Sequence, residues 1–259
     1  MLVWEMLKLS QDKNMQEKIL FSNNVCVQNI YAKEVFPTRI ISNRLEENCK
    51  KKWLELRQKA EENNSKIWDS EIYRFENIII DKDKIILNVS TLPFSIRLAM
   101  NFFTKEIVEL GEGYKPMGMF FSCFLKTYDG FYVFVEKTKK LYAERIIYFV
   151  GGVLSKTEID LTRNSLSEAI VLEIEEETGV VFCAEEIYLK SIYVNENLNC
   201  CSLFSIETKK TKEELEKSFK SKDGEVAKLK FVHFDQLKEF VKKLPNKDAI
   251  KFAIAKIYE

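Results

Sequence analysis

The sequence holds a single histidine, His233, among 259 residues. Ser–His and Cys–His nucleophile pairs, and metal sites built on several histidines, therefore have almost no material to be made from. His233 sits in the strand-like run LKFVHF, where packing is its simplest role. Base chemistry falls instead to carboxylates, lysine or tyrosine. Net charge is lacking too: 40 Lys and Arg balance 40 Asp and Glu. The chain thus has no general pull towards nucleic acid or a membrane surface. Eight glycines and four prolines leave no long flexible linker. The six cysteines form no CxxC pair, and Cys200 and Cys201 are adjacent, so most read as buried thiols of a reducing compartment. The longest apolar run, residues 117–125, is too short to cross a bilayer. The opening MLVWEMLKLSQ carries Glu5 and no cleavage-site pattern, so no secretory signal is read and the cytoplasm is the expected compartment.

What the chain does have is concentrated acid. The run LEIEEETGV places Glu173, Glu176 and Glu177 within an arc of roughly 100° on one helix face, with Glu175 nearly opposite. Like charges so close repel one another and cost stability. A divalent cation among them removes that cost, because hard cations prefer oxygen ligands. Gly179 stands where a left-handed residue would end the helix, and Ser165 with Glu168 has capping-box spacing at the other end. The expected helix covers about residues 166–178 and buries Leu166, Ala169, Ile170 and Ile174. A solvated acidic helix end is the plain alternative. Against it stand a Gly-Gly loop with a further acid, Glu158, before the helix, and a strand-like run, residues 145–150, leading into those glycines.

These residues resemble the signature of the Nudix hydrolases, G-x5-E-x7-R-E-U-x-E-E-x-G-U with U aliphatic. Gly152 and Glu158 fit the first half; Glu173, Ile174, Glu176, Glu177, Gly179 and Val180 fit the second. Thirteen residues rather than seven separate Glu158 from Leu172, read as a longer loop, and Leu172 stands at the arginine position. That arginine pairs with the acids of the signature and helps orient them, so here the orientation must come from elsewhere.

Along the chain, residues 1–38 give little beyond a strand-like NNVCVQNIYAKEVFP. Residues 43–63 form the clearest amphipathic helix, with Leu45, Cys49, Trp53, Leu56 and Ala60 at helical spacing. Residues 72–80 and 84–89 read as a hairpin joined by DKD, and the segment from Ser95 as helical in its first half. GEGYKP, residues 111–116, is the boundary candidate. Beyond it two apolar strands flank Tyr128-Asp129-Gly130, a hairpin turn. The second ends in Lys137, Lys139 and Lys140, the place where the family tends to hold basic residues facing substrate phosphate. Strands near 186–194, 200–208 and 227–234 follow, with a short helix at 211–220, a helix at 236–244 capped by Asp235, and a last one over 247–258. The expected class is α+β: a Nudix α/β/α sandwich with a mixed sheet over 114–259, preceded by a smaller α+β extension over 1–113.

A wider resemblance, over roughly residues 35–245, is to the UDP-glucose pyrophosphatase branch, which has an N-terminal extension and an irregular signature. It rests on a Trp-bearing helix, IWDSEIYRF, PMGMFF, the TYDG turn and the long loop. The resemblance implies hydrolysis of the diphosphate in a nucleoside diphosphate joined to another moiety, such as UDP-glucose, giving UMP and sugar 1-phosphate. Mg²⁺ or Mn²⁺ would be held by Glu173, Glu176, Glu177 and the Gly152 carbonyl. Glu173 is the first candidate for general base; Glu196 and Glu225 are loop acids expected at the same sheet end. Lys137, Lys139, Glu158, Asn195 and Glu196 are the substrate candidates, with Tyr73, Phe75 and Tyr193 as aromatic ones that also suit a core. Two alternatives remain. One is a cap-cleaving enzyme, for which the basic stretch 209–222 is interrupted by Glu213, Glu214 and Glu216. The other is a non-catalytic nucleotide-binding module, which Leu172 and the long loop favour.

Overall fold

The computed structural model describes residues 18–62, 67–82, 84–138, 147–157, 160–161, 166–221, 224–244, 250 and 254. Its centre is a mixed seven-stranded sheet in the order β1-β8-β9-β5-β6-β10, with β7 against β6. The strands are β1 (Lys18–Cys26), β5 (Met119–Lys126), β6 (Phe131–Lys137), β7 (Ile147–Phe149), β8 (Ile187–Val194), β9 (Cys200–Glu207) and β10 (Val226–His233). Within this sheet, among the described residues, only β5 and β9 run parallel; its other pairs are antiparallel. A three-stranded sheet adds β2 (Ile30–Glu34), β3 (Glu71–Asp81) and β4 (Lys84–Pro93), in the order β2-β4-β3.

Six α-helices are described: α1 (Asn43–Glu62), α2 (Phe94–Met100), α3 (Thr104–Leu110), α4 (Leu166–Thr178), α5 (Lys212–Ser218) and α6 (Leu237–Lys242). The α4 helix buries Leu166, Ala169, Ile170 and Ile174, and these join Phe121, Cys123, Leu125 and Val133 of the sheet in one core. The opposite sheet face, with Phe124, Phe134 and Leu203, is covered by Leu237 and Val241 of α6 and by Ile250 and Ile254. The sheet is therefore packed between helices, as the sequence pattern implies. A third cluster joins Leu45 and Cys49 of α1 to α2, to Ile107 of α3 and to Leu198.

The two sides of residue 113 share structure. The β1 strand completes the large sheet at its edge. Tyr73, Phe75, Leu87 and Val89 of the small sheet belong to the same core as α4. Main-chain bonds also stitch β3 to the large sheet's loops: Tyr73 N to Leu154 O at 2.9 Å, Phe75 N to Met117 O at 2.9 Å, and Lys156 N to Glu71 O at 2.8 Å.

The feature that positions the site lies between β5 and β6. Their hairpin turns at Asp129-Gly130 and pairs only near that turn, through Lys126 and Tyr132. Further on the strands splay, and residues 147–153 fold back inside the opening. One arm, β7, pairs with β6 (Phe149 with Phe134, Ile147 with Glu136). The other runs back along β5 through Val150–Cys123 and Val153–Phe120 bridges. A strand over 145–150 was expected; the chain instead reverses after Phe149, so Val150 serves the second arm, and residues 145 and 146 lie outside the described residues.

Two further expectations are corrected. The segment from Ser95 is helical in both halves, because α3 plugs Ile107 into the cluster with α1 and α2. Asp235 caps no helix: it lies within a 3₁₀ turn, Phe234–Gln236, and its Oδ2 meets His233 Nδ1 at 3.2 Å. Tyr73, Phe75 and Tyr193 take the core role favoured for them over substrate contact, each no more than 5% exposed. Of the last expected helix only Ile250 and Ile254 are described, both helical and buried.

Tyr73 has no exposed surface, and its hydroxyl accepts from the Leu161 N–H at 2.9 Å. This ties the small sheet to the segment before α4. Tyr73→Phe removes the acceptor and strands a buried donor, which costs about 1–3 kcal/mol. Urea denaturation should show that loss; an unchanged midpoint would mean the bond holds nothing in place.

Candidate active site

The second arm of the fold-back leaves the sheet at Gly151-Gly152. Gly151 has φ +143°, and a Cβ there would run into the Phe121 carbonyl, so only glycine fits. A Cβ at Gly152 would run into the Glu173 carboxylate. The glycines thus admit the acidic end of α4 against the backbone. That end is stopped as the sequence implies: Gly179 has φ +73° and its N–H reaches the Glu175 carbonyl at 2.7 Å.

The three acids of the arc meet three environments. Glu173 is half-buried beside Gly152, Glu176 is exposed, and Glu177 is only 1% exposed. Glu177 Oε2 accepts from the Gly151 N–H at 2.7 Å, and Oε1 accepts from Lys137 Nζ. Lys137 also reaches Glu225 Oε2 at 3.4 Å. Burial pushes the Glu177 carboxyl above its ordinary range; Lys137 and the Gly151 N–H pull it back, and Glu225 adds to the rise. Lys137, itself nearly buried at the end of β6, is thus brought to the site as the counter-charge of Glu177. Leu172, at the position of the signature's arginine, is 46% exposed and orients nothing. The orienting groups are Lys137 and the Gly151 N–H.

Strand directions put residue 138, the 195–199 turn and Glu225 at one end of the sheet, as expected for the loop acids. They are not equally close to Glu177. Glu225 shares Lys137 with it. Glu196 is half-buried in a turn before β9, at least three strand spacings from β10, upward of about 14 Å. The Asn195 side chain shapes that turn: its Oδ1 accepts from the N–H groups of Asn197 and Asn199, both at 3.0 Å. Lys139, Lys140, Glu158 and Ser165 lie outside the described residues. A cavity of about 690 Å³, lined by Lys126, Tyr132, Tyr188 and Glu207 among others, is at the other end of these strands and apart from the acids.

In kind, the donors suit a hard divalent cation: carboxylate oxygens set against a glycine cradle that a Cβ would fill. The Gly152 carbonyl also accepts from the Phe121 N–H at 3.0 Å. Among the described residues no three Asp, Glu, His or Cys side chains stand together as a ligand set. The positive charge at Glu177 is the Lys137 ammonium. No helix among the described residues is long and apolar enough to cross a membrane.

No family model matches the chain, and no curated protein matches it. Solved structures do. A MutT from a study of the Aliivibrio salmonicida and Vibrio cholerae proteins is 13% identical, over 47% of this chain and 85% of that one, with a TM-score of 0.35. A NUDIX hydrolase from Nitrosomonas europaea is 16% identical, over 47% and 76%, with a TM-score of 0.34. A bifunctional NMN adenylyltransferase/ADP ribose pyrophosphatase from Francisella tularensis, complexed with AMP and a Mn ion, is 14% identical, over 61% and 46%, with a TM-score of 0.40. Likenesses of this size assign no residue's role.

Replacing Lys137 with Met leaves Glu177 buried without its cation, a change that typically costs about 3–5 kcal/mol. Adding Glu177→Leu to Lys137→Met should recover most of that loss. Chemical denaturation of metal-free protein measures both, and near-native stability of the single variant would show that the pair is not a buried ion pair.

Proposed function

We propose that this chain is a metal-dependent hydrolase of the Nudix kind, acting on the diphosphate of a nucleoside diphosphate joined to another moiety. The best single candidate is a nucleotide sugar such as UDP-glucose, giving UMP and sugar 1-phosphate. The observation that carries the reading is the docking of an acidic helix end on a glycine pair: Glu173 against Gly152, Glu177 on the Gly151 N–H. In this reading residues 114–259 carry the hydrolase, and 1–113 form an extension whose β1 completes the sheet.

Glu173, Glu176 and Glu177, with the Gly152 carbonyl, would hold Mg²⁺ or Mn²⁺. Such an ion neutralises phosphate charge and acidifies a bound water. The chain's own residues do the rest. The Gly151 N–H and Lys137 fix Glu177. Lys137 and Lys139 would offset substrate phosphate once the acids are otherwise neutralised, with Glu158, Asn195 and Glu196 at the margins of the substrate. Glu173 is the first choice to take the water proton. Glu225 is the better placed of the two loop acids, since it shares Lys137 with Glu177. Catalysis of this type is positioning and charge stabilisation.

A second reading, a non-catalytic nucleotide-binding module, is favoured by one observation: the chain already neutralises Glu177 with its own lysine. Incubating diphosphate compounds with Mg²⁺ and with Mn²⁺, and following products by mass, tests the first reading. Turnover should fall by about 10²–10³-fold in Glu173→Gln and in Glu176→Gln, as for loss of one preorganised electrostatic group, with circular dichroism unchanged. Full metal-dependent activity in both variants would remove the hydrolase reading. Absence of both metal binding and turnover in the wild type would support the module.

A further inference from the structure

Among the described residues two arginines, Arg74 and Arg97, are buried, and their surroundings differ. Arg74, 4% exposed, pairs with the fully buried Glu76 carboxylate. Arg97, on α2 and 7% exposed, pairs with no carboxylate among the described residues. Its Nε donates to Asn199 Oδ1 at 2.8 Å, and its guanidinium lies 4.4 Å from the centre of the Phe120 ring. Gly118 leaves room for the side chain, since a Cβ there would stand 3.1 Å from Arg97 Cγ. The two terminal amino groups carry no hydrogen bond among the described residues. Burial lowers the guanidinium pKa to about 10, and only the Cys201 thiol acts in the other direction.

A buried charge without a partner costs several kcal/mol, and a chain keeps one only where something compensates it. Here the guanidinium is clamped at Nε, seated on a ring, and left with a free fork of two parallel N–H edges. That is the shape which takes a phosphate or carboxylate bidentately. Two buried amide oxygens without a hydrogen-bond partner belong to the same segments. Asn101 Oδ1 lies one helical turn beyond Arg97, and Asn197 Oδ1 is two residues before Asn199. Either amide, turned over, presents N–H instead of oxygen.

We infer that Arg97 is the receptor for an oxyanion, the phosphate or carboxylate group of a small-molecule ligand, held on its two terminal amino groups. The receptor is built from α2, the start of β5 and the 195–199 turn; that turn also carries Asn195 and Glu196 of the hydrolase reading, but the inference uses none of the acids of α4 and needs neither metal nor turnover.

Thermal unfolding of protein stripped of metal on a chelating resin tests it. Phosphate, pyrophosphate, acetate and malonate are titrated in turn against sodium chloride of equal ionic strength. One anion class should raise the midpoint saturably, by about 2–4 °C at about ten times its Kd. Response to the phosphates alone identifies a phosphorylated ligand; response to the carboxylates alone identifies an organic acid. Asn199→Asp places a carboxylate on the Arg97 Nε. It should raise the starting midpoint and abolish the anion response. Arg97→Met should also abolish it, while Glu176→Gln should keep it, which separates this receptor from the acidic site. If Arg97→Met does not fold, the isosteric Asn199→Asp decides alone. No saturable response in the wild type, or an undiminished one in Asn199→Asp, overturns the inference.

Discussion

The opening between β5 and β6 governs the rest of this molecule. Two strands that part after their turn leave a row of main-chain groups to be satisfied, and buried amides are almost never left unpaired. Residues 147–154 supply the partners. The Cys123 N–H finds the Val150 carbonyl at 2.7 Å, and the Leu154 N–H finds the Met119 carbonyl at 3.1 Å. To serve both strands the inserted chain must reverse and then leave beside β5 at close quarters. Gly151 and Gly152 permit that exit. Once the reversal aims the Gly151 N–H out of the ladder, an acceptor must come to it, and Glu177 does. The site of the acids is thus decided first by backbone accounting and only then by charge.

Charge has its own requirement at Glu177. A carboxylate that is 1% exposed has lost its water, and one backbone N–H does not replace it. The Lys137 ammonium completes the neutralisation from the end of β6. The sequence signature assigns that service to an arginine on the helix itself, one residue before Glu173, where this chain has an exposed Leu172. Moving the cation from helix to strand keeps the acid oriented but places the positive charge inside the site. Any divalent cation at Glu177 must compete with it, whereas an arginine on the helix flank would leave the front of the carboxylate open.

Much of this was legible in the sequence. The Asp129-Gly130 turn, the apolar face of α4 and the Gly179 stop are local patterns, each fixed by a few neighbouring residues. Helical arithmetic put Glu173, Glu176 and Glu177 on one arc. It did not separate a buried acid from an exposed one, because burial depends on what lies opposite. The Lys137–Glu177 pair spans 40 residues of chain and has no local signature. The reversal after Phe149 escaped for the same reason: IIYFV reads as one strand, and only the parted hairpin makes it two arms. Arg97 did leave a trace, a lone charge in the otherwise apolar helix run FSIRLAM. A surface position is the default expectation for arginine, and the sequence offers nothing to overrule it.

The acids and the lone guanidinium are kept apart by a single strand. Successive residues of β5 face opposite sides of the sheet. Phe121 faces α4 and the core beneath the acids. Phe120, its neighbour, bears the Arg97 guanidinium on the other side, together with Gly118 two residues earlier. The acids on α4 therefore cannot serve as the counter-charge of Arg97. Glu177, the buried one, is neutralised instead by Lys137, drawn from the neighbouring strand. Arg97 is turned towards the 195–199 turn, where the side chains that meet it are an amide, a thiol and a ring. Among the described residues the fold supplies a lysine to buried Glu177 and Glu76 to buried Arg74, and supplies no acid to Arg97. That asymmetry is what an anion arriving from outside would complete.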